Sequence, residues 1–170
     1  MNIRPARMVE SFDLLDILLE RHPETIYARE GVSIDEPLAR KVIAHHIQRS
    51  DGTNDGATFL RVAADESDKP VAFIMGHLAR VYIIGDKLQA VDCFLIGRKD
   101  VSANVLDQLL DTYLAWATSN EKVYDVQASW TDILPQTERF DAVYRRKGFQ
   151  RCGAVYRRLP HAEKQGELAA

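Results

Sequence analysis

Between Thr58 and Ile96 three β-rich runs follow one another with only short polar breaks, and from Ser102 the pattern switches to the helical period of about 3.6. That order confines the chain to a sheet laid down as an antiparallel meander and then covered by a helix. The runs are Thr58 to Ala64, Val71 to Ile84 and Leu88 to Ile96. The charged turn Asp65 to Lys69 joins the first two as a hairpin, and Gly85-Asp86-Lys87 joins the third. Val105, Leu106, Leu109, Leu110, Tyr113, Leu114 and Ala117 then form one apolar stripe of an amphipathic helix. Tyr124 to Trp130 is the next strand, and because a helix intervenes it must return across the sheet by a crossover.

The flanking segments extend this layout. Met1 to Arg7 is a short strand broken by Pro5, followed by a helix carrying Phe12, Leu14, Leu15, Leu18 and Leu19. Ser33 is expected to cap a second helix, with Glu36 completing a capping box before the stripe Leu38, Val42, Ile43 and Ile47. The turn-rich stretch Ser50 to Gly56 ends it. Beyond a loop through Pro135, Phe140, Val143 and Tyr144 share a helix face that Gly148 stops, and Phe149 to Leu159 alternates as a last strand ended by Pro160. This gives an α+β domain over 1–160, with a mixed, mostly antiparallel sheet and helices on both faces, and a polar tail over 161–170.

Composition narrows the function classes. With 170 residues, 46% hydrophobic and 28% charged, the chain can bury a core without disulfide or metal staples. A net charge of -3 gives no general attraction for nucleic acid, and the basic clusters are confined to Arg145-Arg146-Lys147 and Arg157-Arg158. Cys93 and Cys152 lack CxxC spacing and read as buried, reduced thiols. Met1 to Pro5 has no signal-peptide character and no apolar run approaches the ~18 residues of a membrane span, so a cytoplasmic location is expected. His45 and His46 are adjacent on a helix and cannot both reach one ion, and no Asp, Glu or Cys spacing nearby completes a site, so no metal is expected.

The string Tyr144-Arg145-Arg146-Lys147-Gly148-Phe149, continuing through Tyr156, resembles the "YxxxGF" helix-to-strand motif of the GNAT family of N-acyltransferases. The order of elements from Ile3 to Leu159 is also that of the family. The resemblance implies a GNAT fold, acetyl-CoA or another acyl-CoA as cofactor, and a small-molecule or protein amine as acceptor. It also implies a pyrophosphate loop reading "[RQ]xxGx[GA]" between the fourth strand and the long helix, where backbone N–H groups face the phosphates. Aligned on the helix stripe and Trp116, that loop falls on Val101, Ser102, Ala103, Asn104, Val105 and Leu106. Val101 replaces the family's Arg or Gln, Asn104 its first glycine, and Leu106 a small residue, while Arg98 lies upstream as a compensating cation.

For the transfer chemistry, an amine needs a general base and the departing thiolate a proton donor. By resemblance Tyr144 is the donor. Asp92 interrupts the apolar run Ala90 to Ile96 and is the candidate base, with His77 the second candidate. Two functions follow. One is an active N-acyltransferase. The other, favoured by the degenerate loop, is a non-catalytic structural or binding module. The closing string Arg145 to Arg158 is also loosely similar to phage-encoded GNAT-like proteins, which places such a module in a host cytoplasm or virion, with a protein assembly partner ordering the tail.

Overall fold

A computed structural model describes residues 1–50, 57–129 and 139–153. The chain runs β1 (Asn2–Pro5), α1 (Ser11–Arg21), α2 (Ile26–Arg29), α3 (Glu36–Arg49), β2 (Thr58–Ala64), β3 (Pro70–Arg80), β4 (Leu88–Gly97), α4 (Ala103–Thr118), β5 (Val123–Gln127) and α5 (Arg139–Arg146). Short 3-10 turns at Met8–Glu10 and His22–Glu24 flank α1. The strands form one sheet in the order β1-β2-β3-β4-β5, antiparallel through β4, with β5 parallel to β4 after the crossover through α4.

The alternation of side chains across the strands assigns a core to each face of the sheet. On one face α4 and α5 cover Phe59, Ala63, Ala72, Ile74 and Ala90 through Leu109, Leu110, Tyr113 and Tyr144. On the other, Leu14 and Ile17 of α1 and Ile43 of α3 cover Leu60, Val62, Phe73 and Met75. Helices on both faces of a mixed, mostly antiparallel sheet are the layout read from the sequence. The close seat of α4 explains Gly76, where an added Cβ would stand 2.9 Å from both the Tyr113 ring and the Val91 carbonyl.

Several boundaries differ from expectation. The α3 cap is Asp35, whose side chain accepts the Leu38 N–H at 3.0 Å, and not Ser33; Pro37 in the first turn favours a start at Glu36. The β3 strand stops at Arg80, so Tyr82, Ile83 and Ile84 form an exposed turn in which Tyr82 and Ile83 have positive φ. Gly148 does take the left-handed angle of a helix stop, with φ 86. Phe149–Gly153 carries no strand, and the rest of the expected last strand, the Pro135 loop, Trp130 and the tail over 161–170 lie outside the described residues. Cys152 is exposed, contrary to its reading as a buried thiol. The basic cluster of α5 is neutralised: Arg145 pairs with Asp141, Arg146 with Asp107, and Lys147 with Asp107 and Asp111 of α4.

An ion network ties β1 to the rest. The buried Glu10 carboxylate accepts from Arg4 Nη2 at 2.7 Å and Arg7 Nη2 at 2.6 Å, and Arg4 and Arg7 also grip Asp68 in the β2–β3 turn. Burial alone would raise the Glu10 carboxyl, but the hydrogen bonds from Arg4 and Arg7 outweigh it and hold the group below its ordinary value. A depressed carboxyl binds fewer protons folded than unfolded, so its contribution is complete above the usual carboxylate range and is lost as pH falls through the depressed value. Glu10→Gln is expected to cost about 1.5–3 kcal/mol at neutral pH and to lose less stability on acidification than the parent; thermal melts from about pH 7 to about pH 2 check both.

Candidate functional site

The β4–β5 pair is where the fold opens. Among the described residues Leu88 to Val91 of β4 pair with β5, and a register shift against β3 between Met75 and Gly76 leaves Cys93, next to Asp92, as the extra residue of a bulge. Beyond this point β4 continues to Gly97 while β5 ends at Gln127. Parallel strands that part leave backbone groups without a ladder partner, and side chains here supply some of the missing bonds. Tyr113 donates its hydroxyl to the Gln127 carbonyl at 2.9 Å, and Tyr144 donates to the Ser129 carbonyl at 3.0 Å. Ser129 in turn donates its N–H at 2.9 Å and its hydroxyl at 3.1 Å to Asp92 Oδ1.

Asp92, Ser129 and Tyr144 therefore form one chain of hydrogen bonds at the mouth of the splay. Burial raises the Asp92 carboxyl above its ordinary value, with the two Ser129 bonds opposing. The Tyr144 phenol is raised by burial and then by the Asp92 charge, so it stays protonated and able to donate. Its ring sits between Phe140 and Phe149, at centroid distances of 6.0 Å and 5.5 Å, which fixes the hydroxyl.

All three line a cleft of about 630 Å³ that runs from the splay to the inner faces of α1, α2 and α3. Its lining includes the apolar residues Val32, Leu38 and Val42 on the helical side and Phe94 on β4, all exposed to solvent. Exposed aliphatic and aromatic side chains gathered in one concavity are the usual setting of a small-molecule site.

His77 is not brought to this cluster. It lies on β3, its Nδ1 3.2 Å from Cys93 Sγ, and it faces α3, where its ring is 6.5 Å from that of His46. His46, His77 and Cys93 are close enough that one ligand atom from each lies within 4.8 Å of the others. Adjacency of His45 and His46 in the sequence hid this grouping, because its partners come from strands across the α3 contact.

The expected pyrophosphate loop lies at the β4–α4 junction. Ser102 is the N-cap of α4, its side chain makes no capping bond, and the first turn carries no acidic residue. The exposed residues Ser102, Ala103 and Asn104 thus offer a helix N-terminus whose N–H groups suit an anion. Asn104 is helical and does not use the left-handed backbone that would mimic a loop glycine. Val101 packs inward, within 3.1 Å of where a Cβ on Gly97 would stand, and Leu106 leans on the same core. Arg98 turns away from the loop to Glu20 at 2.6 Å, and Lys99 reaches Glu24 at 3.2 Å. Backbone donors at this junction fit a phosphate; the cations beside it are committed to α1 and the turn that follows.

No family model matches the sequence, and no curated protein matches it. Solved structures do. A mutant of the BH1408 protein from Bacillus halodurans superposes with TM-score 0.71 at 16% identity, over 94% of this chain and 99% of that one. Ribosomal-protein-alanine N-acetyltransferase from Brucella melitensis biovar Abortus 2308 gives 0.60 at 11% identity, over 94% and 99%. Glucosamine-6-phosphate N-acetyltransferase from Arabidopsis thaliana gives 0.64 at 10% identity, over 94% and 97%. The chain has the GNAT acetyltransferase fold.

Proposed function

We propose that the chain is an N-acyltransferase whose acceptor is an amine on a largely apolar body. The observation that carries this reading is the continuity of the cleft, which joins the Asp92–Ser129–Tyr144 chain to the apolar wall of Val32, Leu38 and Val42. An acyl-CoA supplies the activated acyl group when bound. The N–H groups at the start of α4 are the donors available to hold its phosphates. Asp92, raised by burial, is poised to take a proton from the incoming ammonium, and Tyr144 keeps a proton in reach of the splay. The apolar wall positions the acceptor and excludes water.

The grip on CoA is expected to be weak. With Val101 in the core and Arg98 on Glu20, the charge-assisted contacts that a basic side chain would provide are missing, at on the order of 1.5–3 kcal/mol each. A dissociation constant no tighter than about 100 μM is expected for acetyl-CoA by calorimetric titration. A low-micromolar value would contradict it. Thiol release from acetyl-CoA over a panel of alkyl and aryl amines, compared with polar amines, tests the reaction, and no turnover with any amine would remove the enzyme reading.

A second reading is a binding module that has kept the fold without the reaction, virion-associated if the likeness to phage-encoded proteins holds. The pairing of Arg98 with Glu20 supports it, because that cation is engaged with α1 and not with the start of α4. Retention of the apolar cleft with complete absence of acyl transfer would select it.

A further inference from the structure

We propose that His46, His77 and Cys93 form a zinc site that clasps α3 to β3 and β4. Each residue comes from a different element, and one ligand atom from each already falls within 4.8 Å of the other two. A tetrahedral zinc ion with Zn–N of about 2.0–2.1 Å and Zn–S of about 2.3 Å sets its ligands roughly 3.3–3.6 Å apart. The 3.2 Å between His77 Nδ1 and Cys93 Sγ is close to that spacing, so small side-chain rotations bring in the third.

The second observation is on His46. Its Nδ1 lies 2.9 Å from the Val42 carbonyl, which fixes that nitrogen as the protonated one, and its Nε2 is buried with no hydrogen-bond partner. A buried, unpaired acceptor costs free energy unless something fills it. A ring nitrogen donating to a backbone carbonyl while the other is left with a free lone pair is the arrangement that orients metal-ligating histidines. The donor set of two imidazoles and one thiol, without a carboxylate, selects zinc or another borderline-to-soft ion over magnesium or calcium. Cys93 lines the cleft, which supplies an entry path and solvent for a fourth ligand.

Protein freed of metal by a chelator resin and titrated with Co²⁺ tests the site on the intact chain. One equivalent should bind, with a sulfur-to-cobalt charge-transfer band in the near ultraviolet and tetrahedral d–d bands in the visible, and Zn²⁺ should displace it and raise the melting temperature. Cys93→Ala should abolish the charge-transfer band, and Cys93→Ala and His77→Ala should each weaken zinc binding by more than about 100-fold. His45→Ala, next to the cluster but outside it, should leave binding unchanged. Cobalt bound without a thiolate band in the unaltered protein, or zinc affinity undiminished in a folded Cys93→Ala variant, would overturn the site. Because the cobalt spectrum is read on the unaltered chain, a variant that fails to fold does not protect the proposal.

Discussion

Replacing Asp92 by Asn is expected to lower acyl-transfer turnover by about 10²–10⁴-fold, the range for loss of a general base. The amide keeps an oxygen able to accept from the Ser129 N–H and hydroxyl, so the geometry of the splay is retained while the basic group is removed. The sign of the pH effect follows from burial. A carboxyl raised in the folded state is ionised first in the unfolded chain, so folding stability from this group declines as pH climbs from the ordinary carboxylate value through the raised one. The Asn variant lacks that decline, and its melting temperature near neutrality should not fall. Activity of the parent should drop as pH falls through the raised Asp92 value, and this acid limb should be missing from the residual rate of the variant. Unchanged turnover in Asp92→Asn would show that the amine loses its proton elsewhere.

Two changes at Tyr144 separate its hydroxyl from its ring. Tyr144→Phe removes only the group that donates to the Ser129 carbonyl, and its contacts with Phe140 and Phe149 stay in place. A stability cost of about 0.5–1.5 kcal/mol is expected for the lost bond, together with a fall in turnover of about 10²–10⁴-fold if the phenol protonates the departing thiolate. Tyr144→Ala removes a ring that belongs to the core between α4, α5 and the sheet, and should cost about 3–5 kcal/mol. In a domain of this size that lowers the melting point on the order of 10 °C. Full turnover in a folded Phe variant would leave Tyr144 as the aromatic that seats α5 and nothing more. Thermal melts of both variants, measured alongside the thiol-release assay, distinguish these outcomes.

The parts of the fold that were legible in the sequence are those where one physical signal acts alone. Thr58–Ala64 is strand because a short, nearly continuous apolar run bounded by turn residues suits a strand buried on both faces, and Ala103–Thr118 is helix because its apolar residues keep a helical period behind a cap. Tyr82-Ile83-Ile84 misled for the opposite reason. These residues have strand character by type, yet the connection to β4 requires a tight turn, and turn geometry overrode the local preference even at the cost of positive φ at Tyr82 and Ile83. The α3 cap was displaced because Ser33 and Asp35 are both good capping residues and only the position of Pro37 separates them.

At the candidate site, Asp92 stood out in the sequence as a carboxylate in an apolar run, and Tyr144 through the resemblance of its helix end to the YxxxGF motif. Ser129 did not, since a serine after a strand looks like any turn, and its importance lies in joining residues far away in the chain. The His46–His77–Cys93 grouping escaped for the same reason, because three separate elements supply it. A cleft is the hardest feature to read, because it is made of what is missing between helices; its trace in the sequence is only that Leu38 and Val42 of α3 are apolar on a face that the core does not cover.

The short outer strand β1 has a consequence for how molecules of this kind meet one another. It is four residues long, it lies at one border of the sheet, and Pro5 closes it without an amide hydrogen. Arg4 and Arg7 are bound over the same border by Glu10 and Asp68. A border so brief, charged and short of donors is a poor template for another chain's strand, so it disfavours lengthening of the sheet from one molecule into the next and the aggregation that follows from it.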